Sequence, residues 1–341
     1  MTRRIGSRLL GGLATVLGAS VVAFVFLRAL PGDPARLVVG SLAKPATVQA
    51  ERKAMGLDRP IYVQYWDFIS GVVRGRWGFS YSLGEPVRSL FAARLPASIE
   101  LGLAAFGLAV VGALAAALLV TYRRRPVLDA IVRGIAFFGS GTPAFWFGLV
   151  ALLVLSVWAG ILPGPEGRLS PNVVPPPHFS GFYTLDALVS GQFATAWNAG
   201  LHLLLPAVIL ALLPFAYLLR LLRINLLDVS RHTFLTVARS KGTTRWTAFR
   251  RHALPNACLP MLTACGLILG ELIGGSVVVE KVFDWPGIGD TVANALLQQD
   301  YSVVEIFVLL AALAYVVINV VVDILYGLVD PRVRIPAAAD Q

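Results

Sequence analysis

Several stretches of this chain stay apolar for about as long as a helix needs to cross a lipid bilayer, and that restricts its fold more than any other feature. A bilayer core is roughly 30 Å thick, and about 20 helical residues span it. Inside lipid, a helix satisfies its own backbone hydrogen bonds, which an open strand or loop cannot do. The stretches run from Leu9 to Leu30, Ala97 to Tyr122, Ile131 to Leu162, His202 to Leu222, Asn256 to Val279 and Val303 to Val329. Composition agrees: 14% of the residues are charged, against roughly 25% in soluble domains. The expected fold class is therefore an all-α membrane protein of about six transmembrane helices.

Arg3 and Arg4 precede the first stretch as they would in a signal peptide. However, the stretch exceeds the roughly 7–15 residues of such a segment and no small-x-small cleavage site follows it cleanly, so it reads as a retained span. The third stretch is too long for one straight crossing, and part of it is expected at the membrane surface. Pro143 lies inside it and is expected to kink it, with Ser140 and Thr142 as candidates to satisfy the freed backbone groups.

The formal net charge of +10 is concentrated beside the apolar stretches rather than along one soluble face, which argues against nucleic-acid binding. Arg123, Arg124 and Arg125 separate the second and third stretches. Arg223, Arg231, Arg239, Lys241, Arg245, Arg250 and Arg251 separate the fourth and fifth. Arg3, Arg4 and Arg8 lie at one end of the chain, and Arg332 and Arg334 at the other. The alternate loops carry Arg168 and Lys281. The positive-inside rule then puts both termini and the basic loops in the cytoplasm. By this reading 1–30 is a tail and first span, 31–96 an extracytoplasmic segment, 97–329 a five-helix core and 330–341 a cytoplasmic tail.

Within 31–96, Ile61, Tyr65, Phe68, Ile69, Val72 and Val73 recur at helical spacing and predict an amphipathic helix at the outer mouth or membrane surface. Pro and Gly make 163–177 a loop. No internal repeat is evident.

The sequence carries no candidate for catalytic or metal chemistry. The sequence has no phosphate-cradling G-x-x-x-x-G-K-[ST] loop, no G-x-S-x-G elbow and no H-E-x-x-H. His178, His202, His232 and His252 are dispersed, so no metal site is expected. Cys258 and Cys265 are too far apart along one helix for a disulfide. Ionisable residues at bilayer depth require an explanation. Glu271, near the middle of the fifth stretch, is a candidate for a translocation path together with Ser140 and Thr142, or for a buried interhelical hydrogen bond. Asn319 and Asp323 share a face of the sixth stretch. Gly266, Gly270 and Gly274, four residues apart, form a small-residue stripe where another helix could approach.

The basic segment 225–255 holds two short helical patterns joined near Gly242. Phe234, Val237 and Ala238 share a face of the first, and Trp246, Phe249 and Ala253 a face of the second. Apolar residues on a polar loop point to a docking surface.

Here the sequence resembles the EAA loop of binding-protein-dependent ABC importer permeases: E-A-A, three residues, G, nine residues, then I-x-L-P. Thr236, Val237 and Ala238 take the first three positions, Gly242 matches, His252 stands for the isoleucine, and Leu254 and Pro255 match. The missing glutamate is usual in the peptide-importer branch. That branch is also echoed in Pro31-Gly32-Asp33-Pro34, Gly56-Leu57-Asp58-Arg59-Pro60 with Gln64-Tyr65, Gly274 through Glu280, Trp285-Pro286-Gly287, Asp300-Tyr301 and Asp330-Pro331-Arg332. Gly75-Arg76-Trp77-Gly78 departs from the branch's G-D-L-G.

The resemblance covers nearly the whole chain and is to the dipeptide/oligopeptide (DppB/OppB-type) permeases. It implies a type I ABC importer permease architecture and no catalytic residue or cofactor in this chain. ATP and Mg would be held by one or two partner ATPase subunits. It further implies a homologous second permease subunit, an extracytoplasmic peptide-binding protein and a lipid surround. Nickel complexes, glutathione or another small solute are alternative cargoes on the same architecture. A proton-coupled secondary transporter using Glu271 and Asp323 is an alternative of another class.

Overall fold

A computed structural model describes residues 2–29, 33–40, 42–123, 126–273 and 277–329. The elements in chain order are α1 (Thr2–Ala29), α2 (Pro34–Val39), α3 (Pro45–Ala54), α4 (Ile61–Val73), a two-stranded antiparallel hairpin of β1 (Phe79–Ser80) and β2 (Glu85–Pro86), and α5 (Val87–Arg123). There follow α6 (Pro126–Gly141), α7 (Ala144–Ala151), α8 (Tyr183–Val189), α9 (Phe193–Val229), α10 (Thr233–Ser240), α11 (Arg245–Ala248), α12 (Leu254–Ile273), α13 (Val277–Val282), α14 (Ile288–Leu297) and α15 (Tyr301–Val329). Wider π-helical turns continue α7 over Leu152–Trp158 and join α11 to α12 over Phe249–Ala253. Among the described residues, five helices are long and apolar enough to cross a membrane, or six if a bent pair counts as one.

The helices outrun the apolar stretches. α5 begins at Val87, so the expected boundary between 96 and 97 falls inside it, and Pro96 lies within the helix. α9 runs 37 residues where a span from His202 to Leu222 is expected. The end turns carry polar and charged residues such as Arg88, Arg94, Arg223 and Asp228, which lower hydropathy without stopping the helix, so hydropathy underestimates length.

The third stretch is also corrected. Pro143 does not kink a continuous helix: it is the N-cap of α7, and the segments Asp129–Gly139 and Ala144–Trp158 meet at 108°. A proline lacks the amide that would continue α6 and disfavours helical backbone before it, so the chain stops and restarts.

The residues form two compact units, each discontinuous in sequence: Met1–Ser98 with Pro286–Val317, and Ile99–Trp285 with Ile318–Gln341. The first has a core of Leu27, Leu90, Phe91, Ile288, Val303 and Ile306. The expected amphipathic helix is α4. Phe24 of α1 stacks on Phe68 and meets Tyr65 edge-on, with ring centroids 5.7 and 5.4 Å away. Gln64 ties the preceding turn by donating to the carbonyls of Leu57 (2.9 Å) and Arg59 (2.8 Å). Asp33 caps α2 and pairs with Arg52 at 3.1 Å, and hydrogen bonding to Asp33 raises the Arg52 pKa. Arg28 pairs with the buried Glu305. Asp300 accepts from Ser80 Oγ (2.7 Å), Ser82 Oγ (2.8 Å) and Ser82 N (3.1 Å), which fixes the hairpin.

In the second unit, Leu101, Ala105, Ala109, Ala113 and Ala117 of α5 recur every four residues and are buried. Such a row admits close helix approach. Val279, Phe283, Leu152, Leu205 and Ile209 form a further core cluster.

Candidate functional site

Three places in the second unit bear on function. The first is a buried polar knot. Glu100 of α5 accepts from Arg168 Nη2 (2.5 Å), from Thr184 N (2.9 Å) and Oγ1 (2.5 Å), and from Tyr183 N (3.3 Å) at the start of α8. Arg168 also donates to the Gly181 carbonyl at 2.7 Å, and its guanidinium lies 3.6 Å from the Tyr183 ring centroid. Nearby, Asp186 accepts from Ser180 N and Oγ, Gly181 N and Phe179 N. Burial alone would raise the Asp186 pKa, but these donors outweigh it and hold it below the ordinary carboxylate value. The loop over 163–177 is thus irregular but anchored, and Arg168 anchors it. A sequence reading that weighs only Glu271 and Asp323 misses Glu100, Arg28 and Glu305, although all three are ionisable residues in apolar stretches.

The second place is a cavity of about 650 Å³ among α6, α7, α9 and α12. The break at Gly141–Pro143 opens it, and Thr142, Phe147, Leu213, Tyr217, Ile268 and Glu271 are among its lining residues. Glu271 is exposed rather than enclosed between helices, so the buried interhelical reading does not describe it. Thr142 and Glu271 line the same cavity. The side chains of Ser140 and Asp323 lie outside the described ones.

The third is the 225–255 segment. Gly242 adopts φ +85°, a left-handed conformation that glycine adopts without strain, and turns the chain between α10 and α11. Thr244 caps α11 by accepting from Thr247 N at 3.2 Å. The expected apolar face is divided. Ala253, with Leu235 and Ala248, is buried in a small cluster against which Val229 and Phe249 pack. Trp246 and Val237 remain exposed, and Trp246 stacks on Phe249 at 6.2 Å. Ala253 therefore belongs to the segment's own core, and the exposed apolar face is narrower than expected. The side chains of Phe234, Thr236 and Ala238 lie outside the described ones. His252 accepts at its carbonyl from Asn256 Nδ2 (2.7 Å). Leu254 is half-buried and Pro255 exposed at the start of α12. The π-turn before Pro255 widens the helix where the ring would otherwise meet the preceding turn's carbonyl.

The glycine stripe resolves unevenly. Gly266 is buried, and a Cβ placed there would lie 2.6 Å from Val322 Cγ2 of α15. Gly270 is half-buried, and Gly274 lies outside the described residues. Cys258 and Cys265 are free.

Comparison with known proteins adds a family context. A family model described as binding-protein-dependent transport system inner membrane component matches residues 108–335, and the corresponding N-terminal model matches 1–102. Over 323 residues the chain is 38% identical to the probable D,D-dipeptide transport system permease protein of Escherichia coli, covering 95% of each. It is 36% identical over 323 residues to the di/tripeptide transport system permease protein of Pseudomonas aeruginosa, covering 94% of this chain and 96% of the relative. It is 34% identical over 334 residues to the glutathione transport system permease protein of Escherichia coli, covering 98% and 99%.

Proposed function

The chain belongs to the binding-protein-dependent transport system inner membrane components, and from that premise we propose that it is the membrane-spanning subunit of an ATP-driven importer of di- or oligopeptides. The observation that carries the cargo reading is the similarity, over about 95% of the chain, to permease proteins named for dipeptide transport. Hydrolysis belongs to partner ATPase subunits, which hold ATP and Mg. A homologous permease completes the path, and an extracytoplasmic binding protein delivers cargo. Both termini and the 225–255 segment face the cytoplasm, consistent with their excess of Arg and Lys.

Coupling runs through α10 and α11. Two short helices joined at a tight turn, with Trp246 and Val237 exposed, support a role in seating an ATPase subunit. Motion there passes into the membrane through a helical run unbroken from Arg245 to Ile273. Gly266, pressed against Val322, fixes α12 to α15 so that the helices move together. The cavity bearing Thr142 and Glu271 forms part of the path.

The similarity to the glutathione permease protein favours a second cargo on the same machinery. Uptake of a labelled dipeptide and of glutathione into proteoliposomes holding the complete complex separates the two. Dipeptide uptake that stops without ATP is the expected result. Glutathione uptake alone would replace the cargo reading. Gly242→Glu in the assembled complex should abolish uptake, and uptake at the parental rate would remove the turn from the coupling path.

A further inference from the structure

We propose that Glu271 is the permease's recognition group for the peptide's terminal α-ammonium, and that the apolar cavity around it accepts the side chains with little selectivity. This inference rests on the peptide-import reading. At about 650 Å³ the cavity lies within the range of roughly 300–1,000 Å³ typical of small-ligand sites. Among its described lining residues, Glu271 is the one carboxylate, and Thr142 and Tyr217 supply hydroxyl groups. The remaining lining is apolar.

Four buried acidic groups on or beside the apolar helices contrast with Glu271. Glu100, Asp186 and Asp300 each accept several hydrogen bonds from protein donors, and Glu305 pairs with Arg28. These carboxylates are buried and satisfied. Glu271 instead is exposed to a cavity. Glu271 lies in the last turn of α12 (Leu254–Ile273), and a carboxylate among apolar walls is costly unless water or a cation compensates it. A free peptide carries such a cation at neutral pH, because its α-amine titrates near 7.7–8.0.

Recognition of that group follows from its chemistry. Every unblocked peptide has an α-ammonium, whereas side chains vary. A carrier that fixes the shared charge at one carboxylate and surrounds it with apolar walls admits many sequences. Leu213, Ile268 and Phe147 provide such walls without donors that would select one side chain. Glu271 would thus bind cargo transiently, by a charge-assisted hydrogen bond, while ATP hydrolysis elsewhere drives the cycle.

The test uses the assembled complex of both permeases and the ATPases in nanodiscs, without binding protein. Cys258 and Cys265 are replaced by Ala, and Thr142→Cys places a thiol in the cavity. Its labelling by a maleimide is timed against increasing alanyl-phenylalanine or N-acetyl-alanyl-phenylalanine. The free-amine dipeptide should protect the thiol at about tenfold lower concentration, as expected for a hydrogen bond to a charged group. Glu271→Gln should erase the difference, and Glu271→Asp should retain part of it. A thiol that never labels, equal or absent protection by both peptides, or discrimination that survives Glu271→Gln would overturn the assignment. Adding the binding protein and ATP to the same preparation separates the two levels. Import of alanyl-phenylalanine without discrimination at the thiol sinks the role of Glu271 alone. Failure to import any peptide sinks the cargo reading.

Discussion

Glu100 and Glu271 both stand on long apolar helices of the second unit, and the fold treats them in opposite ways. Glu100 is buried, with donors on both carboxylate oxygens, and it holds α8 and the loop around Arg168 in place. Glu271 is exposed at a cavity formed where α6 ends and α7 restarts. Position in the sequence does not separate them. What separates them is the surrounding set of donors: Glu100 ties several elements together, whereas Glu271 faces a cavity.

The largest effect should come from breaking the tie. Glu100→Ala leaves Arg168 buried without its carboxylate, and removing one partner of a buried pair typically costs about 3–5 kcal/mol. The purified complex should melt well below the parental protein or fail to accumulate. Glu100→Met with Arg168→Met removes both charges and should recover much of that loss. A double variant as unstable as the single would mean that the pair itself, not the orphaned charge, sets the cost.

Next comes helix packing. Gly266→Leu forces bulk against Val322, and overpacking costs roughly 1–3 kcal/mol. Gly270→Leu, at a half-buried position, should cost less. Equal melting temperatures for the two would remove Gly266 from its special place. Gly242→Ala meets open space, so its penalty is backbone strain of roughly 1 kcal/mol, read as a lower ratio of peptide moved to ATP hydrolysed.

A smaller effect depends on pH. Because the folded-state pKa of Asp186 lies below its unfolded value, its stabilisation is complete above about pH 4 and is lost as pH falls through the folded value. Acid should therefore destabilise the parental protein more than Asp186→Asn, as read from melting temperatures across pH 3–6. The smallest stability change belongs to Glu271→Gln, within about 0.5 kcal/mol, because the residue ties nothing down. A large loss there would erase the contrast with Glu100.

Much of this was legible in the sequence. Run length and hydropathy place the apolar helices, and the spacing of Ile61 through Val73 marks α4. The turn at Gly242 also follows from residue type and position. Helix ends were not legible, because α5 opens on Val87-Arg88-Ser89 and α9 runs on past Leu222 through Arg223, Asn225 and Asp228, where hydropathy falls although the helix continues. The break at Pro143 reads equally well as a kink, since a proline's effect depends on what its neighbours allow. Glu100 and Arg168 are 68 residues apart, so no local pattern reveals their pairing. Ala253 reads as a docking residue from its spacing, but Leu235, on the preceding helix, makes it part of a core.

Peptide uptake into proteoliposomes holding the full complex, with ATP and the proton gradient varied independently, tests the central claim most directly. ATP-driven import predicts uptake that requires ATP and ignores an uncoupler when ATP is held constant. It also predicts that Glu271→Gln keeps partial, ATP-dependent uptake, because the carboxylate binds cargo and does not supply the energy. Uptake driven by the gradient alone, and abolished in Glu271→Gln, would contradict it and make Glu271 the proton carrier of a secondary transporter.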